Sequence, residues 1–216
     1  MGTGQGASSI GECAAEVLAD HDRAALAGVI KSARWGIDAL DQACPLSLGQ
    51  ICVLAARPGC GKTSLMLQVA DATNAYLGAE STAIVTLEMP GKALSRIIIG
   101  RQIGVGRNAI MGWFMTDEQR DQFERAVAHW RANDIPIKDH GDRCNVDDVC
   151  AWVRSRHRRS RGLLSLVCID YLQLIQGTNP RHTENDRIGE ISRKLKLLTN
   201  QLNIAVLLLC QLNRES

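Results

Sequence analysis

The sequence lacks any long apolar run and carries almost no net charge. No apolar run approaches about 18 residues, the length from which a membrane-spanning helix is considered, so the sequence implies no membrane span. Lysine and arginine together number 25, and aspartate and glutamate 23, which leaves a formal net charge of +2. Bulk charge therefore gives no argument for nucleic-acid binding, and any such binding must come from local patches or from assembly.

The cysteines lack the spacing of a disulfide framework or of a common zinc module. The eight cysteines are scattered, and no Cys-x-x-Cys pair occurs among them. Cys52, Cys168 and Cys210 lie within apolar runs and are interpreted as small buried hydrophobic residues. This usage is typical of a protein of the reducing cytosol.

The overall composition is that of a globular α/β protein. The 216 residues are 45% hydrophobic and 22% charged, enough for one α/β domain with a sizeable core. Short, nearly continuous apolar runs predict buried strands near 50–55, 82–87, 164–169 and 204–209. Helical periodicity predicts helices over 62–77, 90–103, 116–133, 146–160 and 187–202. Strands that alternate with helices predict a mainly parallel, doubly wound sheet with helices on both faces.

Two segments precede this region. Residues 1–9 are Gly-rich and uncharged, unlike a signal peptide, and are predicted to be disordered. Residues 10–31 show helical spacing of apolar side chains, and a turn-like stretch, 31–35, separates them from the core. A short amphipathic helix in this position packs either on its own core or on a neighbouring molecule, and the periodicity does not distinguish the two.

A phosphate-binding loop lies between the first predicted strand and the helix that follows it. Its glycines, Gly59 and Gly61, let the backbone N–H groups converge on phosphate oxygens, and the opening of the helix adds further N–H groups. Lys62 can reach the β- and γ-phosphates, and the Thr63 hydroxyl can ligate Mg²⁺. The predicted cofactor-binding loop comprises Ala56, Arg57, Pro58, Gly59, Cys60, Gly61, Lys62, Thr63 and Ser64. Ala56 stands where such loops usually have their first Gly, at a position that does not touch phosphate.

Three other predicted strands end in polar residues suited to nucleotide chemistry. Asp170 can hold the water shell of Mg²⁺, although a helix or turn cap is the alternative. Glu88 can deprotonate the water that attacks the γ-phosphate, or it is a charge at the start of a helix. Gln211 follows the run Ile204 to Leu209 and can hydrogen-bond the γ-phosphate, or it is a solvated loop residue. Spacing alone does not decide between these roles for Glu88 and Gln211.

These residues belong to longer sequence motifs that resemble those of the ATPase domain of DnaB-type replicative DNA helicases, which has a RecA-like core. The resemblance runs from about residue 10 to the end of the sequence. It is carried by Trp35-Gly36-Ile37-Asp38-Ala39-Leu40-Asp41, the phosphate-binding loop, Thr86-Leu87-Glu88-Met89-Pro90, Ile169-Asp170-Tyr171-Leu172-Gln173-Leu174, Ile191-Ser192-Arg193-Lys194-Leu195-Lys196 and Gln211-Leu212-Asn213-Arg214.

The resemblance implies a role for each site residue. Glu88 matches the family's catalytic glutamate, Asp170 its metal-site aspartate and Gln211 its γ-phosphate sensor. We therefore expect Glu88, Lys62 and Gln211 to be catalytic, and Thr63 and Asp170 to hold Mg²⁺ beside bound ATP. The implied activity is ATP-driven movement along single-stranded DNA and separation of the duplex at a replication fork.

The resemblance also implies an organisation and partners. Residues 10–33 match a linker helix that docks on the adjacent subunit of a ring-shaped homo-hexamer, and residues 34–216 match the RecA-like core. Primase and a helicase loader are the further expected partners, and no membrane is involved. The expected location is the cytoplasm of a bacterium or of a phage-infected host.

The sequence departs from the family at both ends. Against the family's organisation, we expect no N-terminal domain before residue 10, and we expect the core to stop before the family's further strands, main DNA-binding loop and arginine finger. Such a finger is worth about 10³–10⁵ in rate, so this polypeptide alone is expected to bind ATP but to hydrolyse it slowly. One edge of the sheet should also be left open.

DNA contacts are weakly encoded. In this family the loop after the metal-site strand faces the central channel, which makes Asn179, Arg181 and His182 candidates for phosphate contacts. A solvated, flexible loop is the alternative for each of them. Two other functions remain open for the whole chain: an ATP-binding assembly or regulatory module without efficient hydrolysis, and a RecA/RadA-like recombination ATPase.

Overall fold

The computed structural model describes residues 9–27, 32–106, 110, 115–139, 144–179 and 181–212, with only the backbone given for 20, 21 and 23–27. These residues fall into two units, divided between Lys31 and Ser32. Of residues 1–9, which are predicted to be disordered, all but Ser9 lie outside the described residues, as does the matching pair Asn213-Arg214.

The first unit contains one helix, α1, which spans Ile10–Ala27. Its start is fixed by reciprocal bonds between Ser9 and Glu12: the Ser9 N–H donates to the Glu12 carboxylate at 2.7 Å, and the Glu12 N–H donates to the Ser9 hydroxyl at 3.1 Å. The last part of the predicted helix, 28–31, lies outside the described residues.

The second unit alternates helices and strands, as the sequence predicts. Its helices are α2 (Asp38–Ala43), α3 (Lys62–Leu77), α4 (Gly91–Gln102), α5 (Asp117–Ala132), α6 (Val146–Arg159) and α7 (Glu184–Leu202). Its strands are β1 (Ile51–Ala56), β2 (Thr82–Thr86), β3 (Ile137–Asp139), β4 (Leu166–Asp170) and β5 (Ala205–Gln211). A 3₁₀ turn, Leu172–Leu174, follows β4. Among the described helices, none is long and apolar enough to cross a membrane.

The strands form one parallel sheet in the order β1-β5-β4-β2-β3. The predicted parallel α/β architecture is thus confirmed, but the sequence analysis missed β3. Among the described strands β1 pairs only with β5, so β1 is an edge strand, and its Val53 is 54% exposed.

Alternate side chains of each buried strand enter two separate apolar layers. In β4, Leu166 and Cys168 pack in the layer covered by α3 and α4, whereas Val167 and Ile169 pack in the layer covered by α6 and α7. All four side chains are fully buried. Helices cover both faces of the sheet, so its strands are buried between two layers and their carboxyl ends lie at one edge.

The segment that leads into the core is fastened through Trp35. Its N–H donates to the Asp41 carboxylate at 2.7 Å, and its indole N–H donates to the Cys44 carbonyl at 2.7 Å. The side chain is 5% exposed. The next residue must be glycine, because Gly36 has φ +68° and a Cβ there would lie 2.6 Å from Ala72 Cβ.

Candidate functional site

The phosphate-binding loop leaves the carboxyl end of β1 and enters α3. Gly59 and Gly61 have φ angles of +80° and +83°, the left-handed conformation that glycine adopts without strain. α3 begins at Lys62 without a side-chain cap, which leaves its first N–H groups available to an anion. The Lys62 ammonium donates to the carbonyls of Ala56 at 2.9 Å and Arg57 at 3.1 Å. These bonds hold the loop in a curled form around its own cation.

The next residue of α3 contacts the end of β4. The Thr63 hydroxyl donates to Oδ2 of Asp170 at 2.9 Å, although 107 positions separate the two residues in the sequence. Asp170 is 1% exposed. Burial raises the pKa of its carboxyl above the ordinary value of 3.8, the hydrogen bond from Thr63 lowers it, and the charges of Glu88 and Lys62 act in opposite directions. A cation beside this carboxylate would favour its ionised form.

The same pair of residues fits a magnesium ion. Oδ1 of Asp170 is buried and has no hydrogen-bond partner among the described residues. Within that part of the chain, no group of three or more His, Cys, Asp or Glu side chains could hold a metal on its own. A hydroxyl, one carboxylate, phosphate oxygens and water form a ligand set that suits Mg²⁺, which seldom relies on protein ligands alone.

Glu88 lies beside this site on the segment after β2. The strand ends at Thr86, one residue earlier than predicted, because Thr86 turns its hydroxyl back onto the Met89 carbonyl at 2.5 Å. The Leu87 N–H donates to the Asp170 carbonyl at 2.8 Å, which ties this segment to the end of β4. The Glu88 side chain is exposed and so accessible to water and to a ligand.

Gln211 is the last residue of β5, not a residue that follows the strand. The prediction was wrong on this point because β5 continues for as long as it pairs with β1. Ala56 and Gln211 are register partners, which sets Gln211 beside the entrance of the phosphate-binding loop. Its side chain makes no hydrogen bond among the described residues. Its main-chain N–H and carbonyl are both hydrogen-bonded to the side-chain amide of Gln173.

The predicted nucleotide-binding residues thus lie together at one edge of the sheet. The three residues predicted to contact DNA differ in whether their side chains already have partners within the protein. The Asn179 side chain accepts the Arg181 N–H at 3.0 Å and so shapes its own loop. His182 Nδ1 lies 3.5 Å from the carboxylate of Glu190. The Arg181 side chain is exposed and unpaired within the described region. Pro180, between Asn179 and Arg181, lies outside the described residues.

Glu190 of α7 anchors this loop, and the sequence analysis did not single it out. Its carboxylate accepts the Thr178 N–H at 3.2 Å and the Thr178 hydroxyl, and it lies 3.0 Å from the Lys194 ammonium. Lys194 also binds Asp147 of α6 at 2.8 Å. The side chain of Glu190 is 6% exposed. The sequence did contain a signal for this ion pair, because Glu190 and Lys194 stand at i,i+4 spacing beside the apolar stripe of a predicted helix.

We expect this anchor to weaken in acid. Chiefly through the Thr178 hydroxyl, and also through Lys194, the pKa of Glu190 falls from its ordinary value of 4.5 to about 2. Because the folded-state pKa lies below the unfolded one, the stabilisation is complete above pH 4.5 and is lost as the pH falls toward 2. A Glu190→Gln variant should therefore be less stable than the parent at neutral pH, with the difference shrinking through that window.

Urea unfolding followed by circular dichroism at several pH values measures this difference. Glu118→Gln is the matched control, since Glu118 is exposed and unpaired among the described residues. A constant gap between the parent and Glu190→Gln from neutral pH to pH 2 would contradict the assignment of the low pKa.

The region that contains these site residues also matches known proteins. Residues 34–216 match the family described as DnaB-like helicase C terminal domain. The chain is 30% identical over 171 residues to the replicative DNA helicase DnaB of Helicobacter pylori strain J99, and 32% identical over 165 residues to that of Geobacillus stearothermophilus. The matches take in 77% and 76% of this chain but only 34% and 35% of those helicases. The chain thus spans about a third of the length of the curated relatives it matches.

Solved structures share the fold. One of them, described as an ATPase domain, superposes with a TM-score of 0.81 at 24% identity, over 97% of this chain and 73% of that one. A DnaB-like replicative helicase, solved in a study of its interactions with primase, gives 0.78 at 24% identity over 85% of this chain and 45% of that one. The predicted RecA-like fold is confirmed by these superpositions.

Proposed function

The chain belongs to the family of the DnaB-like helicase C-terminal domain, and we propose that it is the ATP-driven motor domain of a replicative DNA helicase. Under this proposal, ATP hydrolysis at the carboxyl edge of the sheet drives movement along single-stranded DNA and separates the duplex. Such a motor acts in the cytoplasm, where bacterial and phage genomes are copied.

One observation carries the proposal: the hydroxyl of Thr63 meets the buried carboxylate of Asp170 directly beside Lys62. A Gly-rich turn alone binds many anions, but a hydroxyl and a carboxylate in contact at the mouth of that turn suit a phosphate-bound cation. Oδ1 of Asp170, which is buried and has no hydrogen-bond partner among the described residues, supports the same interpretation.

The other residues of the edge complete the proposed chemistry. Lys62 releases its two loop carbonyls and turns to the β- and γ-phosphates. Glu88, exposed beside Asp170, takes a proton from the attacking water. Gln211 donates its side-chain amide to the γ-phosphate. Thr63 and Asp170 would hold Mg²⁺, which would supply positive charge against the charge that develops on the transferred phosphate.

The proposed partners are further copies of the chain and single-stranded DNA. Helix α1 supports assembly into a ring, since its apolar Ile10, Val17 and Leu18 are 90%, 68% and 62% exposed. The exposed guanidinium of Arg181, unpaired within the described part of the chain, supports a phosphate contact in the channel of that ring. Primase and a helicase loader are the further partners that the family resemblance implies.

Nucleotide binding and hydrolysis test the proposal. We expect the chain to bind MgATP, measured by calorimetry, and to release phosphate faster when single-stranded DNA is added. Lys62→Ala should weaken MgATP binding by about 10- to 150-fold, because a charge-assisted hydrogen bond is worth about 1.5–3 kcal/mol. No detectable MgATP binding by the parent chain would refute the nucleotide site.

Lys196→Ala is the matched control for Lys62→Ala. Lys196 also donates to a main-chain carbonyl, that of Gly49 at 2.7 Å, but at the amino end of β1. An equal loss of MgATP binding in both variants would point to general destabilisation. MgATP hydrolysis that single-stranded DNA leaves unchanged would leave the ATP site standing but would argue against the DNA motor.

A further inference from the structure

The side-chain amide of Gln173 satisfies both main-chain groups of Gln211. Gln173 lies in the 3₁₀ turn that follows β4. Its Nε2 donates to the Gln211 carbonyl at 2.8 Å, and its Oε1 accepts the Gln211 N–H at 3.3 Å. The amide therefore pairs with Gln211 in both directions, as the main chain of a neighbouring strand would. The position of the 3₁₀ turn is tied to the position of the proposed γ-phosphate sensor.

Arg187 holds the same turn from the other side. Its Nη1 donates to the carbonyls of Gln173 at 2.8 Å and of Ile175 at 2.9 Å. The guanidinium is planar and always charged, so these bonds are stronger than neutral ones and fix the orientation of the turn. Arg187 belongs to the first turn of α7. The 3₁₀ turn and the start of α7 are consequently held as one piece.

The loop proposed to meet DNA, residues 176–183, spans the gap between these two elements. It leaves the 3₁₀ turn after Ile175 and ends at Thr183, whose hydroxyl caps α7. Between those ends, Thr178 and His182 contact Glu190 of α7. A displacement of the 3₁₀ turn with the start of α7 therefore moves both ends of the loop together.

We propose that Gln173 is the positioning residue through which the nucleotide state sets the position of loop 176–183. The inference rests on the proposed function, because it requires Gln211 to meet the γ-phosphate. When the Gln211 side chain bonds that phosphate, its main chain shifts, and Gln173 must follow or lose two hydrogen bonds. Each such bond is worth roughly two- to tenfold in an equilibrium. With ADP bound the pull is absent, and the loop takes a different position.

Amide hydrogen exchange tests the relay in the full chain. Exchange in loop 176–183 is compared between samples saturated with MgATPγS and with MgADP, and nucleotide affinity is measured on the same samples. In the parent chain we expect the loop exchange rates to differ by about threefold or more between the two nucleotides. Gln173→Met keeps the side-chain length but removes both bonds to Gln211, and should abolish that difference while MgADP affinity is retained.

A second variant and a control keep the outcome interpretable. Gln173→Glu can still accept the Gln211 N–H but sets a carboxylate oxygen against the Gln211 carbonyl, so it should also reduce the difference. Gln122→Met is the matched control, because the Gln122 side chain lies on α5, outside the loop, is half-buried as Gln173 is, and makes no hydrogen bond among the described residues. The control should retain the full difference between nucleotides.

The possible results separate the inference from the function on which it rests. A difference that persists in Gln173→Met, that vanishes equally in Gln122→Met, or that is absent from the parent chain would overturn the relay. Failure of the parent chain to bind either nucleotide would overturn the proposed function, and the relay with it. Loss of the difference in both Gln173 variants alone, with MgADP still bound, supports the relay.

Discussion

Replacing Glu88 by glutamine should lower the rate of ATP hydrolysis by about 10²–10⁴-fold while MgATP still binds. The amide has nearly the shape of the carboxylate but cannot accept the proton of the attacking water. Binding should persist because the phosphate contacts proposed for Lys62 and Thr63 are untouched. Loss of the Glu88 charge also removes one of the influences that raise the pKa of Asp170, so the Asp170 carboxyl should ionise slightly more readily.

Single-turnover hydrolysis and equilibrium binding of MgATP measure the two halves of this prediction. Glu80→Gln is the matched control, since Glu80 is exposed and precedes the amino end of the same strand, β2. Hydrolysis near the parent rate in Glu88→Gln would exclude Glu88 as the base. A collapse of MgATP binding in that variant would indicate that Glu88 shapes the site instead.

Truncating Leu195 to alanine should cost about 2–5 kcal/mol of unfolding free energy. Leu195 lies on the inner face of α7, fully buried in the apolar layer that also contains Val206 and Leu208 of β5. Removal of its side chain leaves a cavity that the rigid sheet beneath cannot close. Denaturant unfolding, with the slope compared between variants, gives the change in unfolding free energy.

The same helix supplies the control. Leu197 is 53% exposed, against 0% for Leu195, and Leu197→Ala makes the same chemical change at the same intrinsic helix propensity. Its cost should stay within about 0.5 kcal/mol. Equal costs at the two positions would mean that the buried face of α7 has been assigned incorrectly.

The sequence predicts the central strands well because each is buried on both faces and is therefore a short, unbroken apolar run. β3 escapes this rule. Ile137, Lys138 and Asp139 form only three residues of strand at the edge of the sheet, paired with β2 alone, and none of them is fully buried. A single apolar residue followed by two charged ones carries no strand signal.

Helix boundaries are predictable where a capping signal is noticed. α7 begins at Glu184 instead of the predicted 187, because the Thr183 hydroxyl and the Asp186 carboxylate satisfy each other's main-chain N–H groups. Thr183 followed by an acidic residue three positions later is the pattern of a helix start. Apolar periodicity begins later, at Ile188, and alone sets the start too late.

Some features of the site can be predicted from the sequence and others cannot. Sequence motifs locate Lys62, Thr63 and Asp170, because the carboxyl ends of the strands in a parallel sheet lie at one edge. The bonds from Gln173 to Gln211 connect residues 38 positions apart, and nothing in their spacing predicts them. Such contacts depend on the final packing of a turn against a strand, which local pattern does not encode.

The pairing of β1 with β5 has a consequence for biosynthesis. Ile51 is in register with Val206, so the strand that carries the phosphate loop joins the sheet only after nearly all of the described chain has been made. Chains emerge from the ribosome N-terminus first, and such non-local pairings form slowly. Until β5 has been synthesised, β1 has no partner among the described strands, and its apolar residues stay accessible to chaperones. We therefore expect a nucleotide bound at the phosphate-binding loop to stabilise the finished sheet, by mass action, and not the early stages of folding.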